Sequence, residues 1–267
     1  MKKLIILVLF AMIFSSCSEY LKAYNGKDPK AKYKMAWTMY NKGKYRKAEE
    51  LFTQVDKYYK FKPTYQRLLF AHAMSLYNIK DYLSAGELFR KFTRLFPEST
   101  KAEEADYYIV KAYYALSPKY TVDQSYTTRG IKEIEQFLKR HPFSKYKKDV
   151  NKMNKVLNEK LEHKGFDVAK MYYDLDAYKS AIVAFNNFLI DFPGSVYKEK
   201  ALYYRFKSAS ELALNSVESK KQKRLKTAID YYLNFINKYP NSSYKKDMEK
   251  HYKKLQKGLT NKENKAV

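Results

Sequence analysis

The residues able to perform acid–base, nucleophilic or metal chemistry are few and scattered. His72, His141, His163 and His251 are the only histidines, they fall far apart along the chain, and none has the paired spacing of an HExxH metal site. No GxSxG elbow, P-loop or GxGxxG turn occurs, and each of the seven glycines stands alone. Glu103, Glu104 and Asp106 cluster, but at the start of a helical stretch, where carboxylates complement the helix dipole. Cys17 is the only cysteine, which excludes an internal disulfide and a multi-cysteine metal site. The sequence therefore predicts no catalytic residue, no metal site and no cofactor: not an enzyme. What it holds in quantity is 28 Tyr, 16 Phe and a formal charge of +25, from 53 Lys and Arg against 28 Asp and Glu. Rings and cations are binding chemistry, attractive to nucleic acid, anionic lipid or acidic protein.

Location narrows that choice. Lys2-Lys3 precedes an apolar run, Leu4 to Phe14, and then Ser15-Ser16-Cys17. At about 1.5 Å per residue the run spans roughly 16 Å, too short for a bilayer core of about 30 Å, and it reads as a signal peptide over residues 1–16. Phe14-Ser15-Ser16-Cys17 resembles a bacterial lipobox, with Phe14 where Leu is usual. The resemblance implies that the Cys17 thiol is diacylated, that the chain is cleaved before it, and that the new N-terminus is acylated. Several acyl chains hold a protein to a membrane almost permanently. Ser18 follows where Asp often signals inner-membrane retention, which favours the periplasmic face of the outer membrane. An exported chain has no nucleic-acid partner to meet, so the rings and charge are expected to serve protein and membrane.

The elements that position these side chains follow from a recurrent string, an aromatic or His, then Pro, one variable residue and Ser. It occurs at Phe96-Pro97-Glu98-Ser99, His141-Pro142-Phe143-Ser144, Phe192-Pro193-Gly194-Ser195 and Tyr239-Pro240-Asn241-Ser242, with prolines 45, 51 and 47 residues apart. Five residues before each Pro stands Phe (Phe92, Phe137, Phe188, Phe235). Eight before stands a large apolar residue (Phe89, Ile134, Phe185, Tyr232), and twelve before a tiny one (Ala85, Gly130, Ala181, Ala228). Positions three and four apart share one helix face, Pro ends the helix, and Ser two residues on caps the next. Ala73 and Leu76 belong to the helix A that precedes one such helix B. These residues, with Ala36, Met39, Gly43, Tyr45, Ala48, Phe52 and Val55 in a first unit and Ala169, Tyr172 and Tyr178 in a fourth, resemble the 34-residue tetratricopeptide repeat, with a longer period. The predicted fold is all-α, a right-handed solenoid of about five tetratricopeptide-like helical hairpins, in which no hairpin buries its apolar stripe alone.

On this reading residues 17–30 form a lipidated tether, 31–160 hold repeats 1–3, 161–256 hold repeats 4–5, and 257–267 form a polar tail. Unit three is expected to break at Ser117-Pro118 and resume near Thr127. Unit five is expected to break near Asn215, cross a basic, partner-facing loop containing Lys220, Lys221, Lys223, Arg224 and Lys226, and resume near Leu225. The repeat register turns Tyr33, Trp37, Tyr40, Phe70, Met74, Tyr77 and Tyr113 toward one side, a stripe suited to an extended apolar or aromatic peptide. The alternative use of such a stripe is packing against a neighbouring helix.

Particular strings then point to a family. Val168-Ala169-Lys170-Met171-Tyr172-Tyr173, Ala177-Tyr178-Lys179-Ser180-Ala181 and Asp191-Phe192-Pro193 look like the fourth repeat of the BamD family. Asp123-Gln124-Ser125-Tyr126-Thr127 and Tyr239-Pro240-Asn241-Ser242-Ser243-Tyr244 resemble further motifs of it, so that the resemblance covers about residues 17–255. It implies a non-enzymatic outer-membrane lipoprotein of the β-barrel assembly machinery. Its C-terminal repeats would dock on the BamA barrel insertase, and its N-terminal repeats would receive the aromatic C-terminal end of unfolded outer-membrane proteins. Two other readings stand beside it. A glycan- or nutrient-binding envelope lipoprotein is usually about twice as long with irregular insertions, and a regulator of peptidoglycan synthesis or division usually has fewer, more regular units.

Overall fold

The computed structural model describes residues 19–263, so Cys17 and the expected signal peptide over residues 1–16 lie outside the described residues. Every regular element among them is helical. The chain forms two compact units that divide after Leu157. The first contains α1 (residues 19–25), α2 (Pro29–Asn41), α3 (Tyr45–Tyr59), α4 (Tyr65–Asn78), α5 (Tyr82–Leu95), α6 (Ala102–Leu116), α7 (Ser125–Arg140) and the start of α8 (Lys147–Asp174). The second contains the rest of α8, then α9 (Tyr178–Asp191), α10 (Lys198–Leu214), α11 (Glu218–Lys238) and α12 (Lys245–Glu263).

The four proline strings make four copies of one turn. The residue before each Pro ends a helix with nearly identical backbone angles: φ −133, ψ 59 at Phe96, −126 and 62 at His141, −126 and 65 at Phe192, −131 and 66 at Tyr239. Steric clash with the proline ring drives that residue out of the helical region. Its N–H still donates to the carbonyl of the Phe four residues back, and the Ser N–H then donates to its carbonyl. The Ser hydroxyl accepts the N–H two residues on, at Lys101, Tyr146, Tyr197 and Tyr244. The hydroxyls of Ser144 and Ser195 also donate to Glu103 of α6 and Glu162 of α8, two helices back from the one that follows the turn, at 2.6 and 2.7 Å, and Gln66 of α4 donates to Ser99.

A second repeated turn joins helix A to helix B. Gly43, Lys80 and Asp176 take left-handed φ values of 69, 68 and 55. Their N–H groups donate to Tyr40, Tyr77 and Tyr173, and the next N–H groups reach back to Met39, Leu76 and Tyr172, the paired bonds of a Schellman motif. The Tyr that opens each following helix packs on the same Tyr: Tyr40–Tyr45, Tyr77–Tyr82 and Tyr173–Tyr178, with centroids 5.6, 5.3 and 6.0 Å apart.

The register residues of helix B are the core. Ala85, Phe89 and Phe92 are buried in the first unit beside Phe52 and Leu69, and Ile134 and Phe137 pack with Val110, Val150 and Leu157. In the second unit Ala181, Phe185 and Phe188 pack with Phe166, while Ala228, Tyr232 and Phe235 pack with Phe206 and Met248. Gly130 replaces Ala in its copy because a β-carbon there would sit 2.8 Å from Leu157 Cδ1.

Three expected segments turn out otherwise. The tether is helical over residues 19–25 and Tyr20 is buried in the first core, its hydroxyl bonded to Glu50. The basic loop is not a loop: all five of its cations lie in α11, which starts at Glu218, because Lys, Gln, Arg and Leu are strong helix formers and only Asn215-Ser216-Val217 breaks the chain. The tail continues α12 to Glu263, with Leu259 and Gly258 packed on the second core. The third connection follows expectation, α6 ending at Leu116 and α7 opening at Ser125. Gln124 ties it by donating to the carbonyls of Lys119 and Val122 at 2.8 and 3.0 Å.

Candidate peptide-binding site

Helices α2 and α4 present large apolar side chains at matching positions, the rings of Tyr33, Trp37 and Tyr40 on one and Phe70, Met74 and Tyr77 on the other. All six are half-buried. Trp37, Tyr40 and Phe70 come together with Gln66, Arg67, Ala71, Phe92 and Lys101 around a cavity of about 260 Å³. Typical small-molecule sites run to roughly 300–1,000 Å³, so this one is sized for a single side chain. Its floor is rigid, Trp37 standing edge-on to Phe52 at 5.5 Å and Phe70 edge-on to Phe89 and Phe92 at 5.6 and 5.4 Å. Cations rim it. Arg67 lies 4.2 Å over the Trp37 ring with no carboxylate partner among the described residues, and Lys101, 5.4 Å from Phe70, shares Glu104 at 2.6 Å. An aromatic side chain beside a carboxylate suits this mixture.

The remaining stripe residues divide. Tyr77 stays near the site through Tyr108, 5.0 Å away, where Lys111 stands 5.3–5.5 Å from Tyr77, Tyr107 and Tyr108. Burial raises the pKa of Tyr40, Tyr77 and Tyr108, so these hydroxyls remain protonated donors at neutral pH. Tyr33 is stacked on Tyr59 at 4.4 Å instead of lining the cavity. Tyr113 does not belong to the site. It is only 5% exposed, packed against α5 with its hydroxyl donating to Glu87. Sequence reasoning missed Arg67, Lys101, Tyr107, Tyr108 and Lys111, although Tyr107-Tyr108 followed by Lys111 one turn later is a helical spacing that signals a shared face.

In the second unit, Ile182, Ala209 and Leu212 floor a trough of about 410 Å³ whose α11 wall carries Lys220, Lys223 and Arg224. Arg224 donates to Ser216 at 2.7 Å, while Lys221 faces away to pair with Glu218 at 3.3 Å. One helical turn along the same three helices lie Asn186, Arg205 and Tyr231. Arg205 Nη1 donates to Asn186 at 2.9 Å, its guanidinium lies 4.0 Å from the Tyr231 ring, and its buried Nε has no acceptor. Burial lowers its pKa, opposed only by Tyr231. Neither Arg205 nor the three α11 cations of the trough has a carboxylate partner among the described residues, so the trough is an uncompensated cationic surface over an apolar floor.

The histidines serve local packing. His72 contacts Thr53 at 3.2 Å, His141 contacts Asp106 at 2.9 Å, His163 pairs with Asp167 at 3.6 Å, and His251 accepts from Lys207 at 2.7 Å. The described residues contain no group of three or more His, Cys, Asp or Glu placed to hold a metal ion.

Helix hairpins in series, closed by recurring Pro turns and faced with rings and cations, define a tetratricopeptide-like repeat protein; residues 217–242 match the tetratricopeptide repeat itself. Residues 25–225 match the outer membrane lipoprotein family YfiO, and the chain belongs to that family. It is 25% identical over 219 residues to the putative outer membrane protein assembly factor BamD of Aquifex aeolicus, covering 81% of this chain and 71% of that one. It is 25% identical over 214 residues to the outer membrane protein assembly factor BamD of Rickettsia prowazekii, covering 78% and 81%. Among solved structures, a TPR repeats protein from Bacteroides fragilis aligns over 86% of this chain and 100% of its own, at 16% identity and a TM-score of 0.39.

Proposed function

We propose that this protein is a non-enzymatic scaffold of outer-membrane β-barrel assembly, held to the periplasmic face of the outer membrane through acylated Cys17. In this reading the α2–α4 face of the first unit receives the aromatic C-terminal end of an unfolded outer-membrane protein. Trp37, Tyr40 and Phe70 enclose the ring, and Arg67 and Lys101 meet the terminal carboxylate. The second unit holds a BamA-like barrel insertase, whose acidic residues lie against Lys220, Lys223, Arg224 and Arg205. Family membership and the assembly-factor names of both relatives support the role. The observation that carries the first contact is the pairing of a ring-lined, side-chain-sized cavity with an unpaired arginine at its mouth.

Photo-crosslinking from position 37 and from position 223 in living cells tests both contacts. The expected products are barrel-protein C-termini from the first and the barrel insertase from the second. Depletion should lower many outer-membrane barrels together, and unchanged barrel levels would reject the assembly role.

A further inference from the structure

The two ends of the hairpins in the first unit differ in chemistry. Each connection reverses the chain between successive packed helices, so the α3–α4, α5–α6 and α7–α8 turns share one end of the unit. The α2–α3, α4–α5 and α6–α7 connections share the other. At the first end two phenyl rings stand in solvent: Phe143 is 99% exposed and Phe61 is 90% exposed. Phe61 lies between Lys60 and Lys62, and Phe143 follows Lys139 and Arg140 and precedes Lys145, Lys147 and Lys148. Across residues 57–64, 94–101 and 139–148 there are ten Lys and Arg and a single carboxylate, Glu98; of the ten, Lys101 pairs with Glu104 and Arg140 with Asp106. At the other end, residues 41–46, 78–84 and 117–129, an equal length of chain, hold six cations and two carboxylates. The most exposed apolar residue there is Val122, at 51%.

A ring exposed at 99% adjoins no pocket wall, so Phe143 cannot belong to a preformed groove for a folded partner. Two protruding rings, each set among lysines and separated by a further turn, fit a broad, deformable surface that supplies phosphates and an apolar layer just beneath them. Phe enters such an interface, long lysine stems lie along it with their ammonium groups outward, and surface lysines are drawn to anionic headgroups. A negatively charged bilayer has all three properties.

We propose that this end of the first unit rests on an anionic lipid surface, with Phe61 and Phe143 inserted among the headgroups and the flanking lysines on lipid phosphates. The contact shares Lys101 with the proposed peptide site and no residue with the proposed insertase site, and it stands whether or not those are correct.

The test uses residues 17–267 carrying Cys17→Ser, which keeps every described residue, removes the acylation site and leaves the chain free of cysteine. Single cysteines at 61, 143 and 122 carry an environment-sensitive NBD dye. Vesicles of phosphatidylethanolamine with phosphatidylglycerol should bind the protein and blue-shift the dye at 61 and 143 but not at 122. Phosphatidylcholine vesicles should bind it about tenfold more weakly, and Phe61→Ser/Phe143→Ser should weaken binding to the anionic vesicles by about tenfold while leaving the circular dichroism unchanged. Equal dye shifts at all three positions, undiminished binding of the double variant, equal binding to both vesicle types, or no binding at all would each overturn the proposal.

Discussion

Replacing Arg205 by Met separates a residue kept for a partner from one kept for the fold. The guanidinium is largely enclosed, donates once to Asn186 at 2.9 Å, lies 4.0 Å from the Tyr231 ring, and leaves its Nε without an acceptor. Arg205→Met removes a charge-assisted hydrogen bond of about 1.5–3 kcal/mol and a cation–π contact of about 0.5–2 kcal/mol. It also removes an unsatisfied donor, which costs about 1–3 kcal/mol, and relieves the desolvation of an unpaired cation. These opposing effects cancel to within about 1 kcal/mol. Arg140 is the control. Its Nη1 lies 2.8 Å from Asp106, a carboxylate only 4% exposed, and Arg140→Met leaves that buried charge with His141 alone, at a cost of about 3 kcal/mol. Urea denaturation followed by far-ultraviolet circular dichroism reads both units, and fluorescence of Trp37, the single tryptophan, reads the first. Arg205→Met should denature with the parent while losing insertase crosslinking from position 223. A loss of 3 kcal/mol or more in Arg205→Met would make the residue a structural element and refute the reasoning.

Two further outcomes follow from the turns and the second core. Lys80→Gly, at φ 68 in the same turn that Gly43 occupies at φ 69, should stabilise the first unit by about 1 kcal/mol, read by Trp37 fluorescence in urea. Burial, assisted by the Lys207 ammonium and opposed by Asp247 and Glu211, holds the His251 imidazole below its ordinary 6.5. The unfolded chain therefore takes up a proton before the folded one. Stability present above pH 6.5 is lost as the pH falls toward the lower folded value, and His251→Gln should flatten that slope in denaturation series between pH 5 and 8.

The parts of this fold legible in the sequence are those fixed by strong local rules. Pro cannot continue a helix and constrains the residue before it, so the four prolines of the repeated string announce four turns, and the Phe and Ala positions counted back from them are the buried ones. Stripe residues were harder to assign, because the same 3.6-residue period describes a ring that lines a cavity and a ring that packs a neighbouring helix. Trp37 and Tyr113 obey one register, yet Tyr113 is buried because α5 presents Ala112 and Tyr113 with Gly86, whose missing side chain lets the ring approach within 3.4 Å of where a β-carbon would stand. Charge concealed structure elsewhere. Lys220 to Lys226 reads as a basic loop because lysines dominate it, although lysine is a good helix former and Leu225 and Ala228 already mark the buried face. Met248, Tyr252, Leu255 and Leu259, spaced four, three and four apart, carried the stripe of α12 through what looked like a polar tail. In a chain this basic, a sparse apolar stripe between lysines is a better guide to helix than local polarity, because each lysine can extend its charge into water from almost any helical position.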